Sequence, residues 1–152
     1  MSELPKQIQA LLARPQPLEP VLCAVLKYFS SETGTLHRLD PQTQLLHLVA
    51  QVGLPPQLLK VVKIIPVGKG IAGQVVAQNR PVTICNLQTD TSGVAKLGAK
   101  QTGVGGVLCV PVHNGNDIVG TLGIGTRREH EYTSEETREL EEIGRLIGSH
   151  LA

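Results

Sequence analysis

Leu4, Ile8, Leu11 and Leu12 recur three and four positions apart, the spacing of one helical face, and Pro15 and Pro17 end that run. A second stripe follows at Leu18, Val21, Leu22, Val25, Leu26 and Phe29, which leaves Cys23 off the apolar line as a passive thiol. From Thr33 the period changes. Thr33-Gly34 opens an extended stretch to Leu39, Asp40-Pro41-Gln42-Thr43 supplies turn residues, and Leu45 to Val52 continues the pattern, so the region reads as a β-hairpin. A turn at those four residues pairs Leu39 with Gln44 and sends His37 and His47 to opposite faces, which argues against a metal held between them.

Gly53-Leu54-Pro55-Pro56 breaks the second strand, a short helical turn covers Gln57 to Lys60, and Val61 to Val67 reads as extended. Gly68-Lys69-Gly70 then leads into a helix over Ile71 to Gln78, with Asn79 as its C-terminal stop, and Pro81 to Cys85 is a short strand. Between Asn86 and Gly106 the periodicity fades. Val94, Ala95, Leu97 and Ala99 suit one irregular helix, and the segment as a whole reads as a lid that opens more easily than the hairpins. Val107 to Val112 and Ile118 to Thr126 flank Asn114-Gly115, a strong hairpin signal. Thr133 and Glu136 have the capping-box spacing that starts a last helix through Leu140, Ile143, Leu146, Ile147 and Leu151. The predicted plan is one α+β domain over residues 1–152, with N-terminal helices in 1–30, about six antiparallel strands and a lid in 33–126, and a C-terminal helix in 133–152.

Composition narrows the function classes. With 41% hydrophobic and 18% charged residues, the chain fits a globular domain, and it holds no uninterrupted apolar run long enough for a membrane helix. Fourteen Lys and Arg against thirteen Asp and Glu leave a net charge of +1, and aromatics are 2%, so neither a basic field nor stacking platforms favour nucleic acid. Cys23, Cys85 and Cys109 are odd in number, far apart and without ligand spacing, which predicts a reducing cytoplasm and no structural metal.

The order of these pieces carries a resemblance. Ile65-Pro66-Val67-Gly68-Lys69-Gly70-Ile71-Ala72-Gly73, Arg80-Pro81-Val82, Val107-Leu108-Cys109-Val110-Pro111-Val112, Ile118-Val119-Gly120-Thr121-Leu122 and Tyr132-Thr133-Ser134-Glu135-Glu136 follow one another as in GAF domains, which the chain resembles from end to end. The resemblance implies a PAS-like antiparallel sheet of strand order 3-2-1-6-5-4, with terminal helices on one face and a small-molecule pocket under lid helices and loops on the other. It implies a sensory or regulatory ligand-binding module, with no output domain expected in the chain. The ligand and any cofactor stay unidentified. By resemblance and position, Ile71, Gln74, Cys85, Asp90, Val94, Leu97, Cys109 and Thr121 are the expected pocket residues.

Two sharper chemistries compete. Gly68, Gly70 and Gly73 spell G-x-G-x-x-G with Asp90 downstream, but a dinucleotide site needs a parallel βαβ series, and hairpins stand on both sides here. The bland role for these glycines is a tight helix entry and a close approach of helix to sheet, while Lys69 and the Gly70 amide could contact an anionic group. The same stretch is similar to that of the free methionine-(R)-sulfoxide reductases. Where that family has a cysteine, however, this chain has Ala72, and no cysteine lies between Asn86 and Leu108. Thiol catalysis needs a nucleophile and a resolving thiol close together, so only Cys85 and Cys109 on adjacent strands would remain for it, and a non-enzymatic module is expected. The cyclic-nucleotide signature and a bilin-attaching Cys-His are both absent. Gly144 and Gly148 share a helical face and leave a groove that either the N-terminal helix or a second copy could fill; with Ile147 and Leu151 they are the expected homodimer contact, alongside a possible signalling partner.

Overall fold

Local signals set the helices in the computed structural model, whose described residues are 3–85 and 105–152. Helix α1, Glu3–Leu12, buries Leu4 and Ile8, and α2, Leu18–Tyr28, buries Val21, Leu22, Val25 and Leu26, while Cys23 stays exposed. At the other end α5, Ser134–Leu151, starts on the expected capping box: Glu136 N donates to Thr133 Oγ1 at 3.1 Å and Thr133 N donates to Glu136 Oε1 at 2.9 Å.

The first hairpin joins β1, Thr33–Asp40, to β2, Leu45–Val52. Its turn takes in Gln44, which adopts the left-handed region at φ 58 and donates from its backbone N–H to Asp40 O at 2.9 Å. Leu39 therefore pairs with Leu46 rather than with Gln44. From His37 to Asp40 the shift is two, which leaves those side chains on the faces assigned to them because strand side chains alternate with period two, while a bulge between Leu36 and His37 makes the shift three from Gly34 to Leu36. His37 pairs with Leu48 and Arg38 with His47, so the two histidines do lie on opposite faces.

Helix α3, Pro56–Val62, is longer than the single turn expected and takes Val61 and Val62 from the following strand, so β3 is only Ile64–Pro66. Those three residues suffice to pair with Leu45, Leu46 and His47. Helix α4, Gly70–Gln78, ends on Asn79 at φ 50, a left-handed cap. The strands β4, Val82–Ile84, β5, Val107–Asn114, and β6, Asp117–Gly125, complete an antiparallel sheet of order β3-β2-β1-β6-β5-β4.

Pleating divides the sheet into two faces. Leu36 of β1, Leu122 and Ile124 of β6, and Leu108, Val110 and Val112 of β5 join α1, α2 and α5 in the main core. The opposite face carries Leu46 and Cys109 against Ala72, Val75 and Val76 of α4. Of the expected lid, residues 86–104, with Asp90, Val94 and Leu97, lie outside the described residues, while Gly105 and Gly106 at its end are buried and donate to Thr126 O and Arg128 O.

The groove along α5 has a different occupant from either one expected. Gly144, Ile147, Gly148 and Leu151 are all buried within the chain. A Cβ on Gly144 would reach Val112 Cγ2 at 3.5 Å and the Pro111 carbonyl oxygen at 3.7 Å, and one on Gly148 would overlap the carbonyl oxygen of His113. Strand β5 fills the groove. These four residues therefore offer no surface to a second copy, and α5 turns Glu135, Arg138, Glu142 and Arg145 outward instead. No helix among the described residues is long and apolar enough to cross a membrane.

Candidate functional site

Alternation along the central strands places Thr35 and His37 of β1, Thr121 and Gly123 of β6, and Cys109 and Pro111 of β5 on the face away from the terminal helices. His37 is 2% exposed, and its Nε2 lies 2.8 Å from the carbonyl oxygen of Val62 at the end of α3. A carbonyl only accepts, so Nε2 carries the proton. Burial lowers the imidazole pKa, the Val62 bond opposes that shift, and His47 adds a smaller lowering effect. The ring is thus neutral, with a bare acceptor at Nδ1.

That acceptor is unmet. Among the described residues the buried side-chain atoms without a hydrogen-bond partner are His37 Nδ1, Thr121 Oγ1 and His130 Nε2. The last lies elsewhere, 3.7 Å from Glu136 Oε1. The first two belong to residues directly opposite each other in the β1–β6 register. Buried polar groups are normally satisfied, since an orphan forfeits about 1–3 kcal/mol of hydration, so two opposite each other on one face make this strip the candidate site.

Beside them Cys109 is 2% exposed, and burial pushes its thiol up to about 12. The Thr121 hydroxyl counters that rise in part, although it does not reach hydrogen-bond geometry with the thiol. Gly123 lets these side chains close over the strand: a Cβ there would stand 3.1 Å from Thr35 Oγ1, a tight contact, and 3.7 Å from Cys109 Sγ. An apolar wall of Leu39, Leu46, Ile65, Ile71, Val75 and Val82 adjoins this polar strip.

Helix α4 sits close because of Gly73, where a Cβ would come within 2.5 Å of the Pro66 carbonyl oxygen. The glycine loop before it is braced internally. Gly68 N donates to Gly73 O at 2.9 Å, and Gln74 Nε2 donates to Gly68 O at 2.8 Å. The G-x-G-x-x-G spacing therefore serves packing and a tight turn, with Lys69 exposed.

Of the residues expected in a pocket, Cys109 and Thr121 meet on the sheet face and Ile71 belongs to its apolar wall. Gln74 is engaged in bracing the loop and also accepts from Gln78 Nε2 at 3.1 Å. Cys85 is misplaced in the expectation. It is exposed beyond the end of β4, its Sγ donates to Glu129 Oε1 at 3.6 Å, and desolvation followed by that carboxylate raises its pKa. Val82, not Cys85, is the residue paired with Cys109, so the two thiols do not form a couple. His37 and Thr35 were missed: alternation puts the two on one face of β1, but only the β1–β6 register brings that face together with Thr121.

Among the described residues no group of three or more His, Cys, Asp or Glu side chains could hold a metal. A hollow lined by Pro17, Pro20, Cys23, Val49 and Ala50 at the start of α2 contains no buried polar group. It lies on the helical side of the sheet and is not the site.

The surrounding fold is shared with known proteins. The GAF domain of a phosphoenolpyruvate-protein phosphotransferase from Coxiella burnetii superposes with a TM-score of 0.82 at 19% identity, over 97% of this chain and 89% of that one. A free methionine-R-sulfoxide reductase from Neisseria meningitidis, in complex with its substrate, gives 0.79 at 17% identity, over 97% and 85%. The corresponding reductase from Staphylococcus aureus gives 0.77 at 20% identity, over 99% and 95%. No curated protein matches the chain in sequence. At these identities the structures establish the fold alone, but the family model for the GAF domain matches residues 18–152, and the chain belongs to the GAF domain family.

Proposed function

We propose that this domain is a small-molecule-binding regulatory module that works without catalysis. The observation that carries the reading is the pair of unmet buried polar atoms, His37 Nδ1 and Thr121 Oγ1, opposite each other on the central strands. A specific site needs few polar groups in an apolar wall, and this face has that composition. The thiol chemistry of the reductases fits poorly. Ala72 is buried in α4 where their cysteine is expected, and Cys109, with a pKa of about 12, is protonated near neutral pH.

His37 gives an occupant a route to the surface. Its Nδ1 faces the unmet side and its Nε2 holds the Val62 carbonyl, next to Val61 and Ile64, which are 53% and 47% exposed. A ligand that moves the ring moves the end of α3, and a protein partner reads the change there. Native mass spectrometry of the purified chain against its denatured mass tests the reading, backed by thermal shifts across a metabolite panel. Retained mass or a stabilising compound, lost in Thr121→Val, is the expected result. Identical masses together with no stabilising compound would overturn it.

A further inference from the structure

We infer that the molecule bound on this face is uncharged and carries an N–H or O–H donor beside an acceptor, as in an amide, lactam or urea group, the donor meeting His37 Nδ1 and the acceptor meeting the Thr121 hydroxyl. This rests on the reading that the face binds a small molecule. The polarity of the imidazole is set from behind. Val62 O occupies Nε2–H, so the neutral ring can only accept at Nδ1. Thr121 Oγ1 has no hydrogen-bond partner among the described residues, which leaves its hydroxyl proton to be given away.

Charge is disfavoured on either sign. A carboxylate or phosphate would set its oxygens against the Nδ1 lone pair, and among the described residues the cations of the surrounding elements are turned elsewhere. Arg38 is on the opposite face with its Nε donating to Leu151 O at 3.1 Å, and Lys60, Lys63 and Lys69 are exposed. Among the described residues an ammonium ion finds no carboxylate on this face either, because Asp40 alternates to the face opposite His37 and accepts from Gln42 N at 2.9 Å. A buried charge without a partner is strongly penalised. Spacing sets the size of the group. Residues directly opposite in an antiparallel pair have Cα atoms about 4.5–5.5 Å apart, so one small planar group can address both side chains.

The probe is 2-pyrrolidinone, a neutral lactam, added at millimolar concentration to the full chain while amide resonances of Thr35, Thr121 and Gly123 are followed by NMR. N-methyl-2-pyrrolidinone lacks the donor, and butyrate and butylammonium carry charge. The expected result is that 2-pyrrolidinone alone shifts these resonances, and that Thr121→Val weakens it about three- to ten-fold, the range of one hydrogen bond. That variant keeps side-chain shape and removes an unpaired buried hydroxyl, so its spectrum should retain native dispersion. Equal binding of the N-methyl compound or of either ion would overturn the ligand class while leaving the site in place. No shift with any of the four would overturn the site itself.

Discussion

Gly144→Ala and Gly148→Ala should move stability in opposite directions, although both glycines are buried in α5 four residues apart. Each replacement removes a helix-interior glycine, which alone is worth about 1 kcal/mol in favour of the folded helix. Space then decides the sign. At position 144 the added methyl meets Val112 Cγ2 at 3.5 Å, an ordinary contact, so the propensity gain survives and the variant should be more stable by up to about 1 kcal/mol. At position 148 the methyl overlaps the backbone carbonyl of His113, which cannot rotate away. Helix α5 must then lift from β5, and Ile143, Ile147 and Leu151, at most 2% exposed, lift with it. An overlap with backbone falls at the upper end of the about 1–3 kcal/mol that overpacking costs, so the net change is a loss of about 2 kcal/mol after the propensity gain of about 1 kcal/mol. Urea unfolding followed by circular dichroism measures both, read as midpoint shifts at constant slope. Equal changes in the two variants, or a neutral Gly148→Ala, would refute the seating of α5 on β5. A wild-type dimer split by Gly144→Ala would instead put a second copy in that groove.

The remaining predictions concern titratable groups. Native protein should show two thiols reacting quickly with a disulfide reagent, Cys23 and Cys85, while buried Cys109 waits for unfolding; three fast thiols would contradict its burial. Burial lowers the folded pKa of His37 below its usual 6.5, so as pH falls the unfolded chain takes up that proton first. Its contribution to stability should therefore be flat above about pH 7 and decline below 6.5 by up to about 1.4 kcal/mol per pH unit until the folded ring protonates. An NMR titration that finds the His37 ring at its ordinary pKa would refute the argument, and with it the neutral acceptor at Nδ1.

Much of the fold was legible from short-range patterns. The stripes of α1 and α2, the Thr133–Glu136 capping box and the Asn114-Gly115 turn are local, because propensity, capping and turn geometry act within a few residues of backbone. The placing of His37 and His47 on opposite faces survived a two-residue error in register for the same reason, since only parity enters it, whereas the bulge between Leu36 and His37 was not legible. The strand order was legible by resemblance alone, as nothing in spacing says which hairpin lies beside which.

The site was less legible. Cys109 and Thr121, expected in the pocket, lie together on the sheet face, Cys85 stands exposed beyond β4, and His37 was seen only as a histidine that could not share a metal. His37 became a candidate ligand group when Val62, twenty-five residues later, took one ring nitrogen and nothing took the other. In the same way Gly144 and Gly148 announce a groove in the sequence, yet only packing put β5 into it and made one glycine replaceable and the other not. Periodicity is propagated by the backbone and can be read along the chain. Whether a polar atom is left unpaired or a groove is filled depends on groups that approach from distant parts of the chain, and tertiary structure alone brings them together.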